Sequence, residues 1–277
     1  MGTLAQATSL APQGEGLIVQ LDPAWSGWGP AGGYLAAIAL RAAGTVAPAG
    51  HRAVTMSCQF LSTAQIADVE VCVEIVKRGG SACANVALSQ DRRRFFQAQV
   101  WSTSRTHALD EVTARFPNVP RPDALAPIET YLKDSKTERV AFWANLECRP
   151  VEFRAPAGPP LHNRRLQRWY RFCGQAPETD VFVNAGYVAL LIDANVWASH
   201  WRTRDAVPDY AAPTLDTTVW FHEDAGAAGW FLVDAESDVA RNGLVHGSVR
   251  VWSEDGRLIA SGGSQCLVVP LRPASGT

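Results

Sequence analysis

Charge is scarce in this chain. Of 277 residues, Lys and Arg number 25 and Asp and Glu 27, so the formal net charge is -2 and only 19% of residues are charged. A near-neutral chain offers no basic face for non-specific nucleic-acid binding or for anionic lipid, and we expect neither as a partner. Long apolar runs are missing too. The nearest approach, Val181 to Trp197, is interrupted by Asn184, Asp193 and Asn195, so no membrane span is expected. The opening MGTLAQATSLAPQGEG has neither the basic nor the apolar region of a secretory leader. The six cysteines form no CxxC pair and no zinc spacing. They read as small buried thiols of a reducing cytoplasm, which is the expected location. There is also no GxSxG elbow, no P-loop, no GxGxxG and no HExxH.

What is present is apolar and aromatic. Residues of that kind make up 47% of the chain, with ten Trp, ten Phe and five Tyr, enough for a large core or an apolar ligand channel. Residues 1–13 read as disordered. A strand follows at Gly16 to Leu21. Pro30 and Gly32-Gly33 then open a helix over Tyr34 to Ala43, with Gly44 as its stop. That helix is apolar on nearly every side, so something must wrap around it. Strands follow at Ala53–Leu61, Asp68–Val76, Ala82–Gln90 and Phe95–Ser102. In the second of these Val69, Val71, Val73 and Ile75 alternate with Glu70 and Glu74. The stretch 105–145 holds Pro117, Pro120, Pro122 and Pro127 and a short helical run, Ile128 to Asp134; it reads as a linker.

The second half repeats the plan. A strand at Leu166–Cys173 and a long apolar helix at Asp180–Ser199 precede strands at Thr214–His222, Trp230–Glu236, Leu244–Trp252 and Leu258–Val269. Arg78-Gly-Gly80 aligns with Arg241-Asn-Gly243, and at the same offset Arg94-Phe95-Phe96 aligns with Arg257-Leu258-Ile259. A buried helix wrapped by an antiparallel sheet is the hotdog architecture. We therefore expect an α+β double hotdog, with units at 14–104 and 146–270 joined by the linker at 105–145. Hotdog units pair edge to edge and place a site between them. Their exposed sheet faces also lead us to expect a homo-oligomer.

Asp216 sits mid-strand, where Asp is disfavoured. Its repeat partner lies near Met56, so the acid belongs to the second half alone. Beside the helix it can polarise a water; at a strand end it can equally bond a turn. Ser237, at the next strand's end, offers a hydroxyl or a turn. The constant repeat offset sets Phe96, Ala98 and Val100 against Ile259, Ser261 and Gly263. This turns Gln265 to the core side and Ser264 away, unless a bulge intervenes. Gly32 and Gly33 bring free amides to a helix N-terminus, an oxyanion or carbonyl-binding site. His222 reads as an orienting or surface residue. Trp25 and Trp28 read either as core or as walls of an acyl channel. The arginines Arg149, Arg154, Arg164, Arg165, Arg168 and Arg171 read as a solvated strand face or as a phosphate site.

Leu215-Asp216-Thr-Thr-Val-Trp220-Phe221-His222, Trp230 to Ser237, Gly243 to Gly247, Asp255 to Ser261 and Gln265 resemble the C-terminal half of TesB-like acyl-CoA thioesterases. Gly32-Gly33-Tyr34 and Phe60-Leu61 extend the resemblance to the first half. It implies a double hotdog that hydrolyses acyl-CoA without a metal or redox cofactor, a water being held by an Asp, a Thr or Ser, and a Gln. Carried over, the Asp is Asp216 and the hydroxyl is Ser237, or Asp238 in its stead. The Gln is Gln265 after a one-residue shift, because Ser264 occupies the unshifted place. Two other readings remain: a hotdog hydratase or dehydratase, for which the second helix offers Asp193 and His200, and a non-catalytic binder of acyl-CoA or another apolar ligand.

Overall fold

The computed structural model describes residues 2–271 apart from 15, 107–108, 134–139, 156–157, 175–178, 205–208 and 227–228. The N-terminal segment is ordered, against expectation. Helix α1 (Leu4–Ala7) is closed by a reciprocal cap between Thr3 and Gln6, and Leu4 is buried. Tyr34 donates its hydroxyl to Ala7 O at 2.7 Å and Arg41 donates to Ala5 O. A short polar segment thus gains order from side chains far along the chain, which local pattern does not report.

Strands β1 (Ala11–Gln13) and β2 (Gly16–Gln20) lead to helix α2 (Gly32–Val46). Then come β3 (Arg52–Phe60), β4 (Asp68–Lys77), β5 (Ser81–Gln90) and β6 (Arg93–Thr103). On β4, Val69 and Val71 are buried while Glu70 and Glu74 are exposed, as the alternation predicts. Gly44 does not stop α2. The helix runs on to Val46, and glycine is there for packing: a Cβ on Gly44 would lie 2.8 Å from the Phe182 ring. A connecting segment carries α3 (Ile128–Leu132); Asp134 lies outside the described residues.

The second unit comprises β7 (Leu146–Pro150), β8 (Arg165–Phe172), α4 (Val181–Trp201), β9 (Tyr210–Ala211), β10 (Thr214–Phe221), β11 (Phe231–Arg241), β12 (Leu244–Ser253), β13 (Leu258–Leu267) and β14 (Val269–Pro270). By length and composition α4 is apolar enough to cross a bilayer, contrary to the sequence expectation. Here it is a core helix, with buried residues all around it.

Twelve strands form one antiparallel sheet in the order β1-β2-β4-β5-β6-β3-β10-β13-β12-β11-β8-β7. The β3–β10 pair joins the two halves. There Ser57 lies opposite Thr218, and their hydroxyls hydrogen bond at 2.8 Å on the face away from the helices. Met56 pairs Val219 and Cys58 pairs Thr217, so a two-fold relation through Ser57 and Thr218 maps Met56 onto Thr217. The fold is the double hotdog that the repeat predicted.

Inside the sheet α2 and α4 run antiparallel with backbones nearly touching. A Cβ on Gly33 would lie 2.4 Å from Leu190 Cα, and one on Gly186 would lie 2.9 Å from Ala37 Cβ. Only glycine permits this approach. Part of the connecting segment packs on the outer face of the second unit. Phe116 meets Trp252 edge-on at 5.6 Å, and Trp169 donates its indole N–H to Pro120 O at 2.9 Å. Trp169, Leu232 and Trp252 form a small second core there. Of the six cysteines, Cys72 and Cys173 are exposed, not buried. Cys72 falls on the outward parity of β4, and Cys173 follows the end of β8.

One difference between the repeats moves the site. The β5–β6 turn has two residues, Asp91 and Arg92, both with positive φ (50° and 61°). The β12–β13 turn is one residue longer, Glu254-Asp255-Gly256, with Gly256 at φ 90°. From there onward a constant repeat offset is wrong by one, and in a strand one residue is the other face.

Candidate active site

The consequence appears on β13. Ile259 and Ala260 are both buried where the ladder slips between Val251 and Trp252, as Phe95 and Phe96 are on β6. Beyond that bulge Gly262, Ser264 and Cys266 face the helices. Ser264 is buried and Gln265 is on the outer face, the reverse of the expectation. The same correction applies to Asp216. Thr217, Val219 and Phe221 point inward, so Asp216 is exposed on the outer face. The error was to set it against core-facing Met56, when the two-fold relation pairs Met56 with Thr217. Asp216 and Gln265 are direct neighbours across β10 and β13, yet on the wrong side of the sheet to meet a helix.

The helix side gathers a different set. Asp193, in the middle of α4, accepts a hydrogen bond from Gly33 N at 2.8 Å through Oδ2 and from Thr217 Oγ1 at 3.1 Å through Oδ1. Thr217 Oγ1 in turn lies 2.8 Å from Ser264 Oγ. Gly33 comes from the first unit; Asp193, Thr217 and Ser264 come from the second. Helix α2 is capped by Ala31, whose side chain cannot accept, so the carboxylate from α4 serves the orphan amide instead. Gly32 completes the approach. A Cβ there would lie 2.7 Å from Asp193 Oδ2 and 2.8 Å from the Phe60 ring, so glycine keeps the carboxylate uncovered. Gly32 and Gly33 stand at the N-terminus of α2, but the Gly33 N–H is not the free amide expected, because Asp193 accepts it.

Burial raises the pKa of Asp193 above the ordinary carboxylate range, while the hydroxyls of Thr217 and Thr214 and the Gly33 amide pull it back down. The residue is only partly buried, so it remains open to a small reactant. Two thiols flank it. Burial, and then the Asp193 charge, push Cys266 up to about 12 and Cys58 well above its ordinary value, so both stay protonated and unreactive.

The other candidates lie apart. Ser237 is buried at the β11 irregularity, where its hydroxyl donates to His246 O at 3.2 Å; strand β12 separates it from β13. Its neighbour Asp238 is exposed. His222 pairs with Ser261 at 2.9 Å on the outer face, the surface role expected. Trp25 is fully buried, stacked on Tyr34 and Phe172, whereas Trp28 is 78% exposed. Of the basic stretch, Arg149 and Arg171 bind Glu147, and Arg165 binds Asp234 at 2.7 Å. His200 lies two helical turns, about 10 Å, from Asp193. It pairs with Tyr210 at 3.3 Å, and burial and nearby Arg164 and Arg204 lower its pKa to about 4. An Asp–His dyad on α4 is therefore not assembled.

Sequence reasoning missed Asp193 and Thr217 as partners. The available signal was Asp193 itself, the one carboxylate in a helix apolar all around, which must find donors when buried.

Comparison with known proteins adds to this geometry. Residues 122–268 match the family described as acyl-CoA thioesterase C-terminal domain, and residues 21–103 the acyl-CoA thioesterase N-terminal domain. No curated protein matches the chain. Among solved structures, it resembles a conserved protein of unknown function with hot dog fold from Alicyclobacillus acidocaldarius (TM-score 0.81, 20% identity, 98% of each chain covered). It also resembles the acyl-CoA thioesterase II TesB2 from Mycobacterium marinum (TM-score 0.79, 18% identity, 99% of this chain and 100% of that). The tesB protein of Mycobacterium avium subs paratuberculosis is similar as well (TM-score 0.77, 22% identity, 96% and 98%).

Proposed function

The chain belongs to the acyl-CoA thioesterase family, and on that footing we propose that it hydrolyses an acyl-CoA by attack of a water held on Asp193. Family membership makes it a thioester hydrolase; the residues and substrate named here are our reading. The observation that carries it is one partly open carboxylate at the seam of the two units, bonded to Gly33 N and Thr217 Oγ1.

Ionised Asp193 accepts a proton from the water as its oxygen bonds to the thioester carbonyl carbon. The carbonyl π electrons move to oxygen. As the tetrahedral intermediate collapses, the C–S bond breaks and the proton passes to the leaving thiolate, giving free acid and CoA. Assistance of this kind is worth about 10²–10⁴ in rate. Thr217 and Ser264 are buried and act as positioning residues: their hydroxyl chain fixes Oδ1 and leaves Oδ2 toward the opening beside Gly32. The Gly32 N–H, first in α2 and without an intrahelical acceptor, is the donor available to the developing oxyanion, aided by the positive end of the helix.

The test is release of CoA from a panel of acyl-CoAs by the wild-type chain and by Asp193→Asn. Release by the first and not by the folded second supports the reading. No release by the wild type, or undiminished release by Asp193→Asn, overturns it.

A further inference from the structure

Resting on that reading, we infer that the acyl chain of the substrate leaves the reaction centre over an uncharged apolar rim formed by Trp28, Leu61 and Leu215. It does not run down the seam between the two helices. Three observations carry this.

The seam is shut. Beyond Gly32 the α2 and α4 backbones are in contact through Gly33 and Leu190 and again through Ala37 and Gly186, and further along Phe182 fills the space over Gly44. The sheet behind Thr217 is shut as well: Met56, Cys58 and Val219 are fully buried. An alkyl chain placed beside Asp193 has no room in either direction.

Asp193 and Gly32 are both part-exposed, so the carboxylate is reached from the Gly32 side. The Phe60 ring borders it, and Leu61 follows Phe60. Leu215 sits next to it, since Asp216 pairs Gln59 in the antiparallel β3–β10 ladder. The loop before α2 is pinched by a bridge between Ser26 and Pro30, and it leans on the chain after β3, where Gly29 approaches Thr63. Trp28 is the tip of that loop.

The rim is apolar and uncharged. Trp28 is 78% exposed, Leu61 52% and Leu215 37%. The stretches 23–34, 56–67 and 210–215 hold no Asp, Glu, Lys or Arg, and the next residue, Asp216, is exposed on the outer face of the sheet. In a chain with 52 such residues, three converging stretches without charge suit an alkyl chain and not the phosphates of CoA. Because the rim faces solvent, the chain stays only partly buried. The gain per added methylene therefore flattens at moderate length instead of continuing as it would in a tunnel.

The experiment has two arms. In the first, kcat/KM for dodecanoyl-CoA relative to butyryl-CoA is compared between wild type and Trp28→Ala, Leu61→Ser and Leu215→Ser. We expect the ratio to fall about tenfold in Trp28→Ala and several-fold in the other two. Trp220→Ala, which removes a half-exposed Trp on the outer face, is expected to leave the ratio unchanged. In the second arm, binding of the non-hydrolysable dodecyl-CoA thioether is measured on the same proteins, with the rim variants weakened. The three variants lie on separate segments, so loss of one fold leaves two readouts. An unchanged ratio together with unchanged thioether binding overturns the rim. So does a dimer that Trp28→Ala dissociates with no chain-length effect, since a second copy would then be the occupant. A wild type that binds the thioether through the rim but releases no CoA keeps the rim and overturns the hydrolase.

Discussion

Gly33 N donates to Asp193 Oδ2 at 2.8 Å, so the helix of the first unit is capped by a carboxylate of the second. The bond does two jobs. It satisfies an amide that Ala31 cannot, and it orients an acid that would otherwise be free to rotate in a desolvated setting. Neither unit holds this arrangement by itself.

Replacing Asp193 by Asn should lower the rate of CoA release about 10²–10⁴-fold. It should also raise the melting temperature at neutral pH. The folded-state pKa of Asp193 lies above its unfolded value because burial disfavours the charge. Its contribution to stability is therefore full below the unfolded pKa and lost as pH rises through the folded one. Asn avoids that loss, so the thermal advantage of the variant should shrink on acidification. Melting curves from pH 4 to pH 8 test this; an advantage that grows on acidification would refute it.

The acid limb of the activity profile should lie above the ordinary carboxylate range, since the water needs ionised Asp193. Thr217 donates to that carboxylate and holds its pKa down. In Thr217→Ala the limb should move further up and kcat should fall about 10²-fold, while Thr217→Ser should keep both near wild type. A fall in kcat with an unmoved limb would make Thr217 merely structural.

Asp216→Asn and Gln265→Ala should leave kcat/KM near the wild-type value, because both side chains lie on the sheet face away from Asp193, Thr217 and Ser264. Steady-state kinetics on the two variants decide between this carboxylate and Asp193; a loss as large as that of Asp193→Asn would return the chemistry to the outer face.

Gly33→Ala should cost about 3 kcal/mol or more, since the new methyl meets Leu190 Cα at 2.4 Å in a backbone that cannot yield. Denaturant unfolding measures it. Activity should fall with it even in the folded fraction, because the amide that holds Asp193 is displaced.

The sequence made the architecture legible because two patterns, a helix apolar all around and an alternating meander, recur in one order. The site was half legible. The loop Gly32-Gly33 and the neighbourhood of β10 and β13 lie at the proposed site, but Asp216 and Gln265 face away from the helices. Two small facts account for that. The turn Glu254-Asp255-Gly256 is one residue longer than Asp91-Arg92, and the halves are related through Ser57 and Thr218. Each shifts the alignment by one, which swaps Ser264 for Gln265 and Thr217 for Asp216. Alternation tells which residues share a face; it does not tell which face meets a helix until the count through a turn is known. Asp193 drew notice as a break in an apolar run and as half of an Asp–His pair with His200, but its actual partners, Gly33 and Thr217, lie on other elements.

Counted from the first residue of each helix, Asp193 in α4 stands where Gly44 stands in α2, and Gly33 where Phe182 stands. The two-fold-related position thus carries a benzyl group packed on bare backbone in place of an acid facing an amide. On the proposed reading, a duplicated scaffold with two-fold geometry is left with a single working centre. Titration with a tight-binding thioether should accordingly saturate at one equivalent per polypeptide, however many polypeptides associate.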